Sequence, residues 1–264
     1  MRIPARTERE GKAERRLLEG EYLEAQRLSL RIASELGPPL FYAERREEVE
    51  RSRKGFESDP MIGHALSIVE ERGELMGHGI SHVRKVAVDA GALVLVDMDR
   101  KAGEEARNRV MRLAHLAGVL HDIEREQPEH ALRGAEEAER ILGGFDLSAG
   151  ERLAIAQAIR NHEAFKPATP LKDASLQILS DALYDADKFR WGPDNFTETV
   201  WSMVAPHGIP LALLLDNFRT SMRGIARISE TFRTPTGRLY GPDFIDRGLR
   251  IGERLYGELT GRPI

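Results

Sequence analysis

The stretch LAGVLHDIERE, residues 116–126, ends an apolar run on an imidazole and a carboxylate, His121 and Asp122. Burying either group alone is costly, so a chain that carries both at the inner end of an apolar helix needs a partner there to compensate them. Val110, Leu113 and Ala117 recur at the spacing of one helical face, and His121 follows Ala117 by four residues, which turns its ring inward. Leu153, Ala156 and Ile159 recur every three residues with His162 as the next member, and His82 follows Ile80 ahead of Val83, Val86 and Ala87. Inward-facing imidazoles on several helices, combined with carboxylates, are the ingredients of a metal site in a helical bundle.

A single histidine on an apolar face is most often a core residue satisfied by a backbone carbonyl. Here six of the eight histidines (His78, His82, His115, His121, His130 and His162) fall between residues 78 and 162, which favours a shared site. His115 is six residues from His121, does not share its face closely, and reads as a core residue or a neighbour of the site. With no cysteine in the chain, thiolate ligands, thiol nucleophiles and disulfides are all excluded. Nitrogen and oxygen donors without sulfur suit Mn, Fe, Co, Ni or Zn, and carboxylate-rich variants admit Mg.

The elements that must hold these residues are helices. An amphipathic opening segment carrying Leu17, Leu18, Tyr22, Leu23, Leu28 and Leu30 is stopped by Gly37-Pro38-Pro39. Further helices are predicted at residues 60–71, 80–96, 101–121, 130–142 and 148–162. After the 167–170 break they follow at 171–189, 196–204, 210–232 and 242–259. The one strand-like run, ALVLVDMD, is expected to finish a helix, so the fold class is all-α with about ten helices. Residues 1–60 are rich in Arg and Glu and read as an added helical arm before a main domain at 61–264.

At 264 residues the chain can bury a full core, and 39 basic against 43 acidic residues lack the excess positive charge of a nucleic-acid binder. Its charged N-terminus has no signal-peptide pattern and its apolar runs are too short to span a bilayer, so a cytoplasmic protein without a membrane partner is expected.

The order His82, His121-Asp122, Asp187 resembles the HD superfamily of metal-dependent phosphohydrolases, whose signature is a histidine, a His-Asp doublet and a later aspartate. The matching text is HGISHVRKVA, LAGVLHDIERE, HALRGAEEAERIL, IRNHEAF and LSDALYDADKF, over roughly residues 76–190. The resemblance implies an HD-domain bundle at 61–264 with additional C-terminal helices, and His82, His121, Asp122 and Asp187 as ligands of a divalent ion. Asp187 precedes Lys188 and Phe189, as the family's last ligand precedes a basic and an apolar residue; Asp185 is the alternative. His130 and His162 match the extra histidines of dinuclear members, in which Asp122 would bridge two ions, so one ion is expected and two are possible within the pattern. Glu124 stands where many relatives carry glycine.

The implied activity is hydrolysis of a small phosphorylated metabolite, a nucleotide foremost. Asp122 would serve the metal and its water, and Lys188 would steady the phosphate. His78, Arg84, Arg125 and Glu124 are expected around the substrate, with Lys85 a further nearby cation. Two other classes share the pattern: an HD-fold di-iron oxygenase, and a nucleotide-sensing module without catalysis. Arg219, Arg223 and Arg227, spaced four apart, suit a polyphosphate or an acidic partner, although a solvated face is the plainer reading. Trp191 and Trp201 can stack a base, with packing again the plainer reading, and a homo-oligomer is compatible with the sequence.

Overall fold

The computed structural model describes residues 8–72 and 79–262. His78 therefore lies outside the described residues. Twelve α-helices and no strand occur among the described residues, so the protein is all-α. None of the described helices is long and apolar enough to cross a membrane.

Local signals set several boundaries where the sequence places them. Asp59 caps α4 (Pro60–Glu71) by accepting from the Met61 N–H, and Pro60 occupies the first turn, where its missing N–H costs nothing. Ser148 and Glu151 form a reciprocal capping box at the start of α8 (Ala149–Arg160). The helices α5 (Ile80–Asp97), α7 (His130–Leu142) and α9 (Ala174–Phe189) carry most of the remaining expected motifs.

Three expectations are corrected. The helix predicted at 101–121 is broken: Gly103 has φ 83°, ψ 156°, a conformation open to glycine, and it separates a short 3₁₀ turn at Arg100–Ala102 from α6 (Glu104–Leu120). Leu153 is exposed, because the buried stripe of α8 runs through Ile155, Ala156, Ala158 and Ile159 rather than through every third residue. The last helix, α12 (Pro235–Thr260), starts seven residues before Pro242, since Thr234 caps it and Pro235 fills its first turn.

Helix α5 lies at the centre and is buried almost all round, against α6, α9 and α3 (Arg46–Ser58). Small residues allow this. A Cβ on Gly118 of α6 would sit 2.5 Å from Ala87 Cα, so the two helices touch backbone to backbone three residues before His121. One turn further along the same face of α5, a Cβ on Gly91 would collide with His115 of α6 and with Ser52 of α3. The helices before residue 59 share this core: α1 (Glu8–Leu36) packs on α12, and Phe41 of α2 (Leu40–Glu44) meets Phe189, Tyr240 and Phe244.

His115 has no exposed surface. Ser52 Oγ donates to the Val88 carbonyl at 2.7 Å and so receives the His115 Nε2–H at 2.8 Å, which fixes Nε2 as the ring's donor. The ring edge packs against Phe56. Burial pushes the His115 pKa down to about 3. The unfolded chain takes up this proton near pH ~6.5, so the associated stability is intact above that pH and is lost as the pH falls toward 3. Between pH 7.5 and 5, urea unfolding should show a loss of about 2 kcal/mol from this group. The expected result is that His115→Gln, though less stable at pH 7.5, lacks that component; an unchanged pH dependence in the variant would contradict the assignment.

In the C-terminal third, α11 (Leu211–Ala226) buries Phe218, Met222 and Ile225 and leaves Arg219 and Arg223 exposed, with Arg227 exposed in the 3₁₀ turn that follows. Trp201 of α10 (Val200–His207) is buried, and its indole N–H donates to the Phe196 carbonyl at 2.5 Å.

Candidate metal centre

Six side chains meet where five helices begin or end. His82 comes from the first turn of α5; His121 and Asp122 follow the last turn of α6; His130 opens α7; His162 lies just past α8; and Asp187 sits near the end of α9. All but His130 are buried.

His121 and His162 use the same local device. Each ring turns Nδ1 back to the carbonyl three residues earlier, His121 to Gly118 at 2.8 Å and His162 to Ile159 at 2.6 Å. With Nδ1–H donating to that carbonyl, Nε2 faces the centre, where a proton shared with a carboxylate and a metal ion compete for the same lone pair. Gly118 thus serves twice, admitting α5 at close range and orienting the ring of His121.

The donor atoms form two groups that share one carboxylate. In the first, His82 Nε2 is 3.3 Å from His121 Nε2 and 3.4 Å from Asp187 Oδ1, and His121 Nε2 is 3.5 Å from Asp122 Oδ2 and 3.7 Å from Asp187 Oδ1. In the second, Asp122 Oδ1 is 3.4 Å from His162 Nε2 and 3.8 Å from His130 Nε2, and the two imidazole nitrogens are 3.3 Å apart. Ligand atoms ~2.0–2.2 Å from a common ion stand roughly 3–3.6 Å from each other, so both groups fit the first shell of a divalent cation. The sets His82, His121, Asp122 and Asp122, His130, His162 can each hold a metal ion.

The charges suit such a role. Burial opposes ionisation of Asp187, but the Lys188 ammonium 2.5 Å from its Oδ2 and hydrogen bonds from His121 and His82 hold its carboxyl well below the ordinary range. For His121 the burial penalty is outweighed by Asp122 and Asp187, which raise its pKa. Burial, reinforced by His162 and Arg125, takes His130 down to about 4, leaving a neutral ring with a lone pair near pH 7. Arg125 donates to that ring's Nε2 at 3.0 Å.

A cleft of about 380 Å³ opens over the cluster, lined by His82, His130, His162 and Asp187 and by the cations Arg125, Lys188 and Arg190. A second cavity of about 670 Å³ adjoins it, sharing His82, Arg190, Thr199 and Met203.

The expected site residues divide accordingly. Asp187 joins the cluster, whereas Asp185 accepts the backbone N–H groups of Arg233 and Thr234, both at 2.8 Å, and anchors the approach to α12. Lys188 and Arg125 line the cleft. Glu124 is drawn instead to Arg72 at the end of α4, 3.0 Å away, and Arg72 also binds Glu137. Arg84 is exposed and pairs with Glu70 at 3.5 Å. Neither Glu124 nor Arg84 lines the cleft, because surface ion pairs with neighbouring helices hold them elsewhere. Trp191, expected to pack, is half-exposed in the cleft wall.

Sequence reading missed Arg190 and its partners. This guanidinium is buried against Asp89 and Tyr42 and reaches Asp194 at 2.6 Å, while Lys85 bonds Asp194 at 3.2 Å. The network ties α5 to α9 beside the ligands that each contributes. A signal was present: Asp89 is a lone charge in VAVDAGALVLV, seven residues after His82 and on its face.

Compared with protein-family models, curated proteins and solved structures, the chain matches none.

Two donor groups imply two ions per chain at saturation, which equilibrium dialysis against Mn²⁺ followed by elemental analysis can count. His162→Ala should reduce the count to one, and wild-type protein that never exceeds one ion would show that the second group does not bind.

Proposed function

We propose that this chain is an HD-type metal-dependent phosphohydrolase that cleaves a phosphate ester or anhydride of a small metabolite, a nucleotide being the leading candidate. The observation that carries the reading is Asp122, one of whose oxygens faces the His121 group and the other the His130–His162 group. The order of the motifs in the sequence supports the same reading.

His82, His121, Asp122 and Asp187 would hold one divalent ion, and Asp122, His130 and His162 a second. Such ions supply a Lewis acid for a phosphoryl oxygen and lower the pKa of a water. The chain's own residues do the rest. Asp122 and Asp187, both buried, present anionic oxygens whose positions are fixed before substrate arrives. Lys188, buried beside Asp187, and Arg125, beside His130, add positive charge to the cleft wall, where a phosphate dianion needs it. The apolar residues around the cluster keep bulk water away and strengthen each of these interactions.

Protein purified without chelator and assayed over nucleotides with Mn, Mg, Co and Fe should release phosphate. Asp122→Ala should lose bound metal and turnover together, and full turnover in that variant would refute the reading. Lys188→Gln should keep its metal while kcat falls by a factor on the order of 10², the usual effect of removing one preorganised electrostatic partner. Iron-dependent oxygen consumption without phosphate release would replace the hydrolase reading with oxygenase chemistry.

A further inference from the structure

The exposed side of the cleft carries a feature that holding metal and phosphate does not require. Phe165 follows His162 by three residues, lines the same cleft, and is 55% exposed. Its backbone has φ 62°, a left-handed conformation that an aromatic residue rarely adopts. The Arg227 guanidinium lies over the ring, 4.7 Å from its centroid, and steadies it there. A large apolar ring held in water on a strained backbone is a poor use of a core residue and a good platform for a ligand.

Two further residues complete the wall. Trp191, 36% exposed, lines the cleft, as does the half-buried Asn195, whose carboxamide offers a donor and an acceptor on one edge. Lys188, on the same lining, is buried. The cleft thus grades from buried charge at the cluster to exposed aromatic faces at its mouth. A volume of about 380 Å³ is of the size that takes a small ligand.

We infer that Phe165 and Trp191 bind the flat heteroaromatic ring of a nucleoside phosphate, with Asn195 pairing with the ring's polar edge while the phosphate lies at the metal cluster. This rests on the hydrolase reading for the position of the phosphate, though ring binding can be measured without turnover. A sugar phosphate lacking a base would leave both aromatic faces uncovered, and a plain hydrocarbon tail would make no use of the carboxamide.

The test is to titrate adenosine, guanosine, cytidine, uridine and ribose 5-phosphate into the metal-loaded full chain, following tryptophan fluorescence and calorimetry. At least one nucleoside should bind saturably and quench the fluorescence, and ribose 5-phosphate should not quench it. Phe165→Ala should weaken that nucleoside at least fivefold, as expected when a stacking face is removed, and Phe165→Tyr should stay within fivefold of wild type. Since Phe165 is exposed, folding of both variants can be verified by circular dichroism. Absence of nucleoside binding, or an affinity within fivefold of wild type in Phe165→Ala, would overturn the inference. Phosphate release from nucleotides and from ribose 5-phosphate separates the two claims. Equal turnover of both esters without nucleoside binding removes the ring site and keeps the hydrolase, while nucleoside binding without phosphate release from any ester does the reverse.

Discussion

Asp122 and Asp187 are carboxylates withdrawn from water at the junction of five helices, and much of the architecture follows from what that costs. A buried ion loses several kcal/mol of solvation that only close, well-aligned partners restore. Lys188 answers Asp187 from the adjacent position in the chain, and four imidazoles surround the two acids at 3.4–3.8 Å. These partners sit at helix ends because the middle of a packed helix cannot bring polar groups from five segments to one point. An arrangement of this kind can hold a metal ion, and its nitrogen and oxygen donors suit a divalent metal without sulfur ligands.

Holding those ends together demands close packing elsewhere. Helix α5 is mostly small and apolar, and α6 approaches it through Gly118 without an intervening side chain. The separation at that crossing sets where His121 lies relative to His82. One turn along the same face of α5, His115 of α6 and Ser52 of α3 fill the space that Gly91 leaves, which makes α3 part of the same core. The Asp89–Arg190–Asp194–Lys85 network then locks α5 to α9 within one to two turns of their ligands. Removing either end of such a buried pair strands its partner's charge, so the network constrains geometry more than it adds stability.

The cleft is therefore asymmetric. Its inner wall is charged and supported by neighbouring helices, whereas its outer wall is built from Phe165 and Trp191 in turns and Asn195 at the start of a π-helical turn. On the hydrolase reading proposed above, chemistry would fall to the first wall and discrimination among substrates to the second, because surface segments vary without disturbing the packed frame.

The helical class and the inward face of His121 were legible in the chain, since both depend on periodicity, whereas Asp187 was preferred to Asp185 only on the resemblance in motif order, and the fold brings it to the cluster. The caps Asp59 and Ser148 are local in the same sense, being contacts between residues two or three apart. Other features were decided only by tertiary structure. Leu153 shares a spacing with buried residues and is nevertheless exposed, because which stripe of α8 is covered depends on the helices beside it. Glu124 follows the His-Asp doublet by two residues yet turns to Arg72, and Phe165 gains its meaning from Arg227, sixty-two positions away. Long-range ion pairs and ring contacts of this kind leave no periodic trace. The sequence alone determined which residues could bind metal and which way their helices turn them, and the fold decided which of the remaining charges and rings share the cleft, because only packing sets distances between segments that the chain itself leaves free.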